Sequence, residues 1–219
     1  MYALQEYGLS DLSQASSISS IASCYLNEIL KKKTGKLNLV GYSFGGIIAH
    51  EIAVQAVEKG LDVNLLCLID TVCSTINEYL SDESLIAGLV AEYFGRDNID
   101  NILEYVNKFG IEEGINIIYD MLSAEGRSPA NSTKEQFCLE QVIYIKNGSA
   151  AIKHIPKIYQ GNLFFIAAEE NLVIRNREYG WRPYVSDLIE LNIVEGEHNN
   201  ILQRSYVEVA KLITQKIFL

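Results

Sequence analysis

The sequence predicts an α/β domain: a mostly parallel sheet flanked by helices, with a run of helices inserted between two strands. Three observations carry this expectation. An apolar run, Leu37-Asn38-Leu39-Val40, passes through Gly41-Tyr42-Ser43-Phe44-Gly45 directly into a helical pattern. A nearly continuous apolar run from Val63 to Ile69 follows that helix at strand–helix–strand spacing, and unbroken apolar strands are those buried on both faces of a parallel sheet. From about residue 75 to residue 158 the alternation stops and helical periodicity takes over, before an apolar strand resumes near Leu163.

Each element has its own local warrant. Tyr2-Ala3-Leu4-Gln5 reads as a short strand leading to a turn at Gly8, and residues 10–17 as a polar loop whose serines offer helix caps. Ile18, Ile21, Ala22, Tyr25, Leu26, Ile29 and Leu30 recur at three-and-four spacing, which predicts an amphipathic helix. Lys31, Lys32 and Lys33 suit its carboxyl end, with Gly35 as cap. A strand over 37–42 precedes a helix from about Phe44 to Lys59, closed by Gly60. In the inserted region, Leu85, Ile86, Leu89, Val90 and Phe94 form one helical face, and Ile102, Leu103, Val106 and Phe109 a second. Ile115, Ile118, Tyr119, Met121 and Leu122 form a third; residues 126–133 are a polar break before Phe137 to Ile145 resume a helix. Gly161 to Ala168 is a strand, Trp181 to Tyr184 a loop, and Leu188 to Val194 the last strand. Residues 196–200 form a loop, and Ile201 to Ile217 read as one closing helix.

A length of 219 residues bounds one α/β domain or two small ones, and residues 1–219 read as a single domain whose lid spans about 75–158. The net charge of −10 argues against a phosphate-backbone partner, so no nucleic acid is expected. No apolar run approaches a membrane span, and the first residues lack the basic and apolar regions of a signal peptide. Cys24, Cys67, Cys73 and Cys138 form no C-x-x-C pair, which points to a reducing, cytoplasmic setting without disulfides or a zinc site.

The chemistry centres on Gly41-Tyr42-Ser43-Phe44-Gly45, a G-x-S-x-G pattern between strand and helix, which is the context of a nucleophile elbow. Such a turn strains the serine backbone, while Gly41 and Gly45 let strand and helix approach closely. Ser43 Oγ is pushed out at the carboxyl end of the strand, above a helix N-terminus whose N–H groups can meet an oxyanion. A serine nucleophile needs a base, and the chain holds three histidines. His50 lies two turns along the following helix, about 10 Å down its axis, and reads as a surface or packing residue. His154 stands beside Pro156 with no strand end to aim it. His198 follows the last strand at the same carboxyl edge as Ser43 and is the expected base. For the acid, Asp70 ends the strand after the nucleophile strand, and Glu169, Glu170 or Asn171 end the next. Asp70 is nearer by strand order, and Ser43…Asp70…His198 follows the α/β-hydrolase order of serine, acid and histidine.

Gly41-Tyr42-Ser43-Phe44-Gly45-Gly46, Leu66-Cys67-Leu68-Ile69-Asp70, Phe165-Ile166-Ala167-Ala168-Glu169-Glu170 and Val194-Glu195-Gly196-Glu197-His198 together resemble the thioesterase domains that end nonribosomal peptide synthetases and polyketide synthases. The similarity runs from Tyr2 to the last helix. It implies an α/β-hydrolase-type fold with a helical lid. In that family the serine takes an acyl or peptidyl chain from the phosphopantetheine arm of a carrier protein. Water then opens the acyl-enzyme, or a nucleophile within the chain closes a macrocycle. Carried over, Ser43 is the nucleophile, His198 the base and Asp70 the acid, and the Phe44 N–H is an oxyanion donor. No cofactor is implied beyond the carrier-borne arm. The implied partner is an acyl or peptidyl carrier protein or domain, with neither nucleic acid nor membrane.

An acid on the strand directly after the nucleophile strand resembles the release domains. Separate editing thioesterases, which clear misprimed carriers, often carry it one strand later, where Glu170 stands. Family members also begin with an apolar strand, a Pro/Gly-rich loop that gives the second oxyanion N–H, and a helix, all ahead of the segment resembling Tyr2–Gln5. The expectation is therefore a domain N-terminally incomplete relative to the family, without a donor worth on the order of 3 kcal/mol in the transition state. A release thioesterase, an editing thioesterase, a general esterase and a catalytically impaired truncated fragment all stay open at this point.

Overall fold

A computed structural model describes residues 17–32, 35–76, 81–94, 99–128, 132–170 and 178–218. The strand expected at Tyr2–Gln5, the turn at Gly8 and Asn171 lie outside the described residues. The chain divides into two compact units, one within residues 79–152 and the other within residues 14–78 and 153–219.

The sheet belongs to the second unit. Strands β1 (Leu37–Tyr42), β2 (Val63–Ile69), β3 (Leu163–Ala168) and β4 (Ile189–Val194) lie in the order β1-β2-β3-β4, and each neighbouring pair is parallel. A parallel sheet needs cover on both faces, and along the central strands β2 and β3 the alternation of side chains supplies two apolar faces. Leu65, Cys67 and Ile69 of β2 join Phe164, Ile166 and Ala168 of β3 and Val194 of β4 in one core, which continues into Ile201 and Val209. On the other face lie Leu66, Leu68 and Phe165, each at most 1% exposed. Full burial of one such side chain contributes about 1.5–3 kcal/mol.

Helix α1 (Ile18–Lys32) packs on α2 (Phe44–Glu58), and α2 packs on β1 and β2. The start of α1 is written locally: Ser20 N donates to Ser17 Oγ and Ser17 N to Ser20 Oγ, both at 3.2 Å, a reciprocal cap that satisfies two terminal donors. The expected closing helix is two pieces, α7 (Ile201–Arg204) and α8 (Tyr206–Ile217). The break falls at Ser205, whose Oγ donates to the Glu195 carbonyl at 2.7 Å and whose backbone leaves helical geometry at φ −115 and ψ 24.

The first unit is a helical cluster. Its helices follow as α3 (Asp82–Phe94), α4 (Ile99–Phe109), α5 (Ile111–Ala124) and α6 (Lys134–Ile152). Ile86, Leu89 and Val90 of α3, Ile102 and Val106 of α4, Ile115, Ile118 and Leu122 of α5, and Phe137, Val142 and Ile145 of α6 bury one another in a common core. Phe109, expected on the buried face of α4, is 51% exposed and leans on Tyr105 with ring centroids 4.4 Å apart. The polar break before α6 ends in a capping box: Gln136 N donates to Thr133 Oγ1 at 3.3 Å, and Thr133 N to Gln136 Oε1 at 3.0 Å.

Candidate active site

Ser43 sits where β1 turns into α2, with φ 52 and ψ −124. Its N–H is held by the Ile69 carbonyl of β2 at 3.0 Å, and its own carbonyl accepts from Gly46 N at 2.9 Å. The turn is tight enough to dictate glycine at two places. A Cβ on Gly41 would lie 2.3 Å from the Gly45 carbonyl oxygen, and one on Gly46 would lie 2.0 Å from Thr71 Oγ1. Gly45 differs from expectation: a Cβ there would meet nothing within 4 Å. The close approach is thus made by Gly41 against the start of α2, and by Gly46 against the segment after β2. Phe44 opens α2, whose first-turn N–H groups have no carbonyl four residues back within the helix.

Asp70 follows β2 with φ 43 and is 0% exposed. A buried carboxylate must be hydrogen-bonded, and this one is. Oδ1 accepts from Ala168 N and from the Tyr179 hydroxyl, each at 2.9 Å. Oδ2 lies 2.6 Å from His198 Nδ1. The neutral imidazole with its proton on Nδ1 donates there, leaving Nε2 to accept from Ser43 Oγ at 2.9 Å. Ser43, His198 and Asp70 therefore form a continuous hydrogen-bonded chain across the carboxyl edge of the sheet. Such a chain can take a proton from the hydroxyl while the carboxylate fixes the tautomer and stabilises the imidazolium.

Tyr42, the variable residue before the serine, braces the histidine. Its ring stacks on His198 with centroids 5.2 Å apart and planes at 27°, and its hydroxyl donates to the His198 carbonyl. Burial and the charge of Asp70 push the Tyr42 hydroxyl up from 10.0. Outside the imidazole, Glu170, Glu197 and Asn199 line with His198 an open depression of about 240 Å³. Glu170 has its carboxylate 3.6 Å from Arg204 Nη1, so it stands on the rim, and Asp70 meets the histidine.

The other two histidines lie elsewhere. His50 is 0% exposed; its Nε2–H donates to the Tyr184 carbonyl at 3.1 Å and its ring lies 4.6 Å from that of Trp181. Burial pushes it down from 6.5 to about 4, against the opposing pull of the Tyr184 carbonyl and Glu51. His154 has its Nε2 3.7 Å from Glu51 Oε2, and burial lowers it as well. Among the described residues no group of three or more His, Cys, Asp or Glu could hold a metal ion, and no helix is long and apolar enough to cross a membrane.

Three supports of this site are missed by sequence reasoning. Tyr42 reads there only as the variable position of the elbow. Tyr179 belongs to no motif, and Trp181 reads as part of a loop. Trp181 is 0% exposed and donates its Nε1–H to the Thr71 carbonyl at 2.7 Å, bracing the chain immediately after Asp70. An aromatic pair flanking Gly180 is the one local signal that could have pointed there.

With this geometry established, comparison with known proteins gives a consistent result. A family model described as a thioesterase domain matches residues 1–217. Malpibaldin synthetase of Mortierella alpina is 26% identical over 224 residues, covering 99% of this chain. The chain spans 4% of the length of that relative. Holo-AB3403, a four-domain nonribosomal peptide synthetase solved with AMP and glycine, superposes with a TM-score of 0.75 at 22% identity, over 97% of this chain and 17% of its own. The NocB thioesterase domain, solved as a covalent complex with a fluorophosphonate nocardicin G analogue, superposes with a TM-score of 0.62 at 20% identity, over 95% of this chain and 78% of its own. These structures share the α/β-hydrolase fold of the thioesterase domains.

Proposed function

The chain belongs to the thioesterase domain family, and from that premise we propose that it releases a peptidyl or acyl chain from the phosphopantetheine thioester of a carrier domain, through an acyl-enzyme on Ser43. The observation that carries this reading is the Ser43–His198–Asp70 chain, with contacts of 2.9 and 2.6 Å. Ser43 Oγ attacks the thioester carbonyl carbon as His198 Nε2 takes its proton. The Phe44 N–H meets the oxyanion at the start of α2. Collapse breaks the C–S bond, and His198 returns the proton to the departing thiolate. Water, or a hydroxyl or amine within the acyl chain, then attacks the ester; His198 takes its proton and returns it to Ser43 Oγ. The helical unit, inserted in the chain between β2 and β3, is the lid in this reading. Pairing of His198 with Asp70, on the strand directly after the nucleophile strand, supports release over editing.

Incubation with a peptidyl thioester followed by intact-protein mass measurement tests the proposal. The native chain should gain the acyl mass and Ser43→Ala should not; equal labelling of both proteins would end it. Short acyl thioesters turned over faster than long peptidyl ones would transfer the reading to editing.

A further inference from the structure

We infer that Tyr179 is a positioning residue for this site: its phenol holds Asp70 in the orientation from which His198 works. The inference rests on the reading of Ser43, His198 and Asp70 as the reacting groups. Among the described residues, the non-glycine residues with positive φ are Ser43 (52), Asp70 (43) and Tyr179 (52). That backbone region is disfavoured for an L-residue, because Cβ crowds the following carbonyl, and such residues gather where the surrounding fold imposes them at a functional site. Two of the three are the proposed nucleophile and acid. The third touches the acid directly.

The turn at Tyr179 aims its side chain inward and is fastened at both ends. The Tyr179 carbonyl accepts from Cys73 N at 2.9 Å, tying it to the segment that follows Asp70. The ring packs on Phe165 of β3 with centroids 4.9 Å apart. The hydroxyl donates to Asp70 Oδ1 at 2.9 Å, in a place where Tyr179 is 4% exposed and Asp70 0%. Oδ1 thus accepts from both the phenol and Ala168 N, which resists an exchange of the two carboxylate oxygens. Oδ2 is left facing the imidazole.

The test is kcat and KM for a thioester substrate in Tyr179→Phe, Asp70→Asn and their double variant, with a thermal melt of each. Tyr179→Phe should lower kcat/KM about tenfold, the effect of one lost hydrogen bond to a charged group. The loss should fall on kcat, with KM little changed. The double variant should be no slower than Asp70→Asn alone, because the phenol acts only through that carboxylate. Native kcat in Tyr179→Phe while Asp70→Asn is slow overturns the positioning role alone. That role falls equally if the loss appears in KM instead, or if the two losses simply add. Native rates in Asp70→Asn overturn the reading of the triad together with it.

Discussion

Acidification should destabilise this protein through the buried His50. The residue is sealed between Trp181 and the Tyr184 carbonyl, so the folded chain resists adding a proton to it and holds it near 4. The unfolded chain accepts that proton near 6.5. Because the folded value is depressed, the stabilisation is fully present above pH 6.5 and is lost as pH falls toward about 4. At about 1.4 kcal/mol per pH unit, that gap corresponds to about 3 kcal/mol. Few domains have more than 5–15 kcal/mol to lose, so the effect should be plain. The assay is denaturant unfolding at a series of pH values, followed by the fluorescence of the single tryptophan, whose ring lies 4.6 Å from His50. His50→Gln keeps an N–H for the Tyr184 carbonyl and removes the titration. Between neutrality and pH 4 the native chain should lose about 3 kcal/mol more than His50→Gln. His154 is depressed in the same direction and contributes to both proteins. Parallel losses in the two would refute the assignment to His50.

Other outcomes follow from the same geometry. Gly46→Ala drives a methyl to 2.0 Å from Thr71 Oγ1, and should destabilise the fold by about 1–3 kcal/mol in denaturant melts while disturbing Asp70 next door. Tyr42→Phe keeps the stack on His198 but loses the bond to its carbonyl; kcat/KM should fall about five- to tenfold, with the thermal midpoint nearly unchanged. Burial pushes the Cys67 thiol up to about 12 and raises Cys73, whereas Cys24 is exposed. Peptide mapping after brief alkylation of the native chain should therefore find Cys24 modified and Cys67 and Cys73 protected.

Much of the sheet unit could be read locally because its signals are local. The central strands are apolar runs ending at turns, and α1 carries its own cap at Ser17. Ser43, Asp70 and His198 could be singled out because each falls just past a strand end, and the carboxyl ends of parallel strands share one edge. The division of the closing helix at Ser205 was not legible, since its cause is a bond to Glu195 across the loop. Nor was the exchange of roles between Gly45 and Gly46, because only Gly46 faces Thr71.

By itself the sequence determined which segments are strands and helices, their order, and which residue types gather at the carboxyl edge. Periodicity, caps and turns act over a few residues, and that range suffices for those decisions. The tertiary structure alone decided which side chains hold the site in place. Tyr179 reaches Asp70 across 109 residues of chain, and Trp181 reaches Thr71 across 110. Contacts at that separation arise only when packing of the sheet closes the distance. No local pattern encodes them, and the strained backbone at Ser43, Asp70 and Tyr179 is where the fold holds the chain against its own preference.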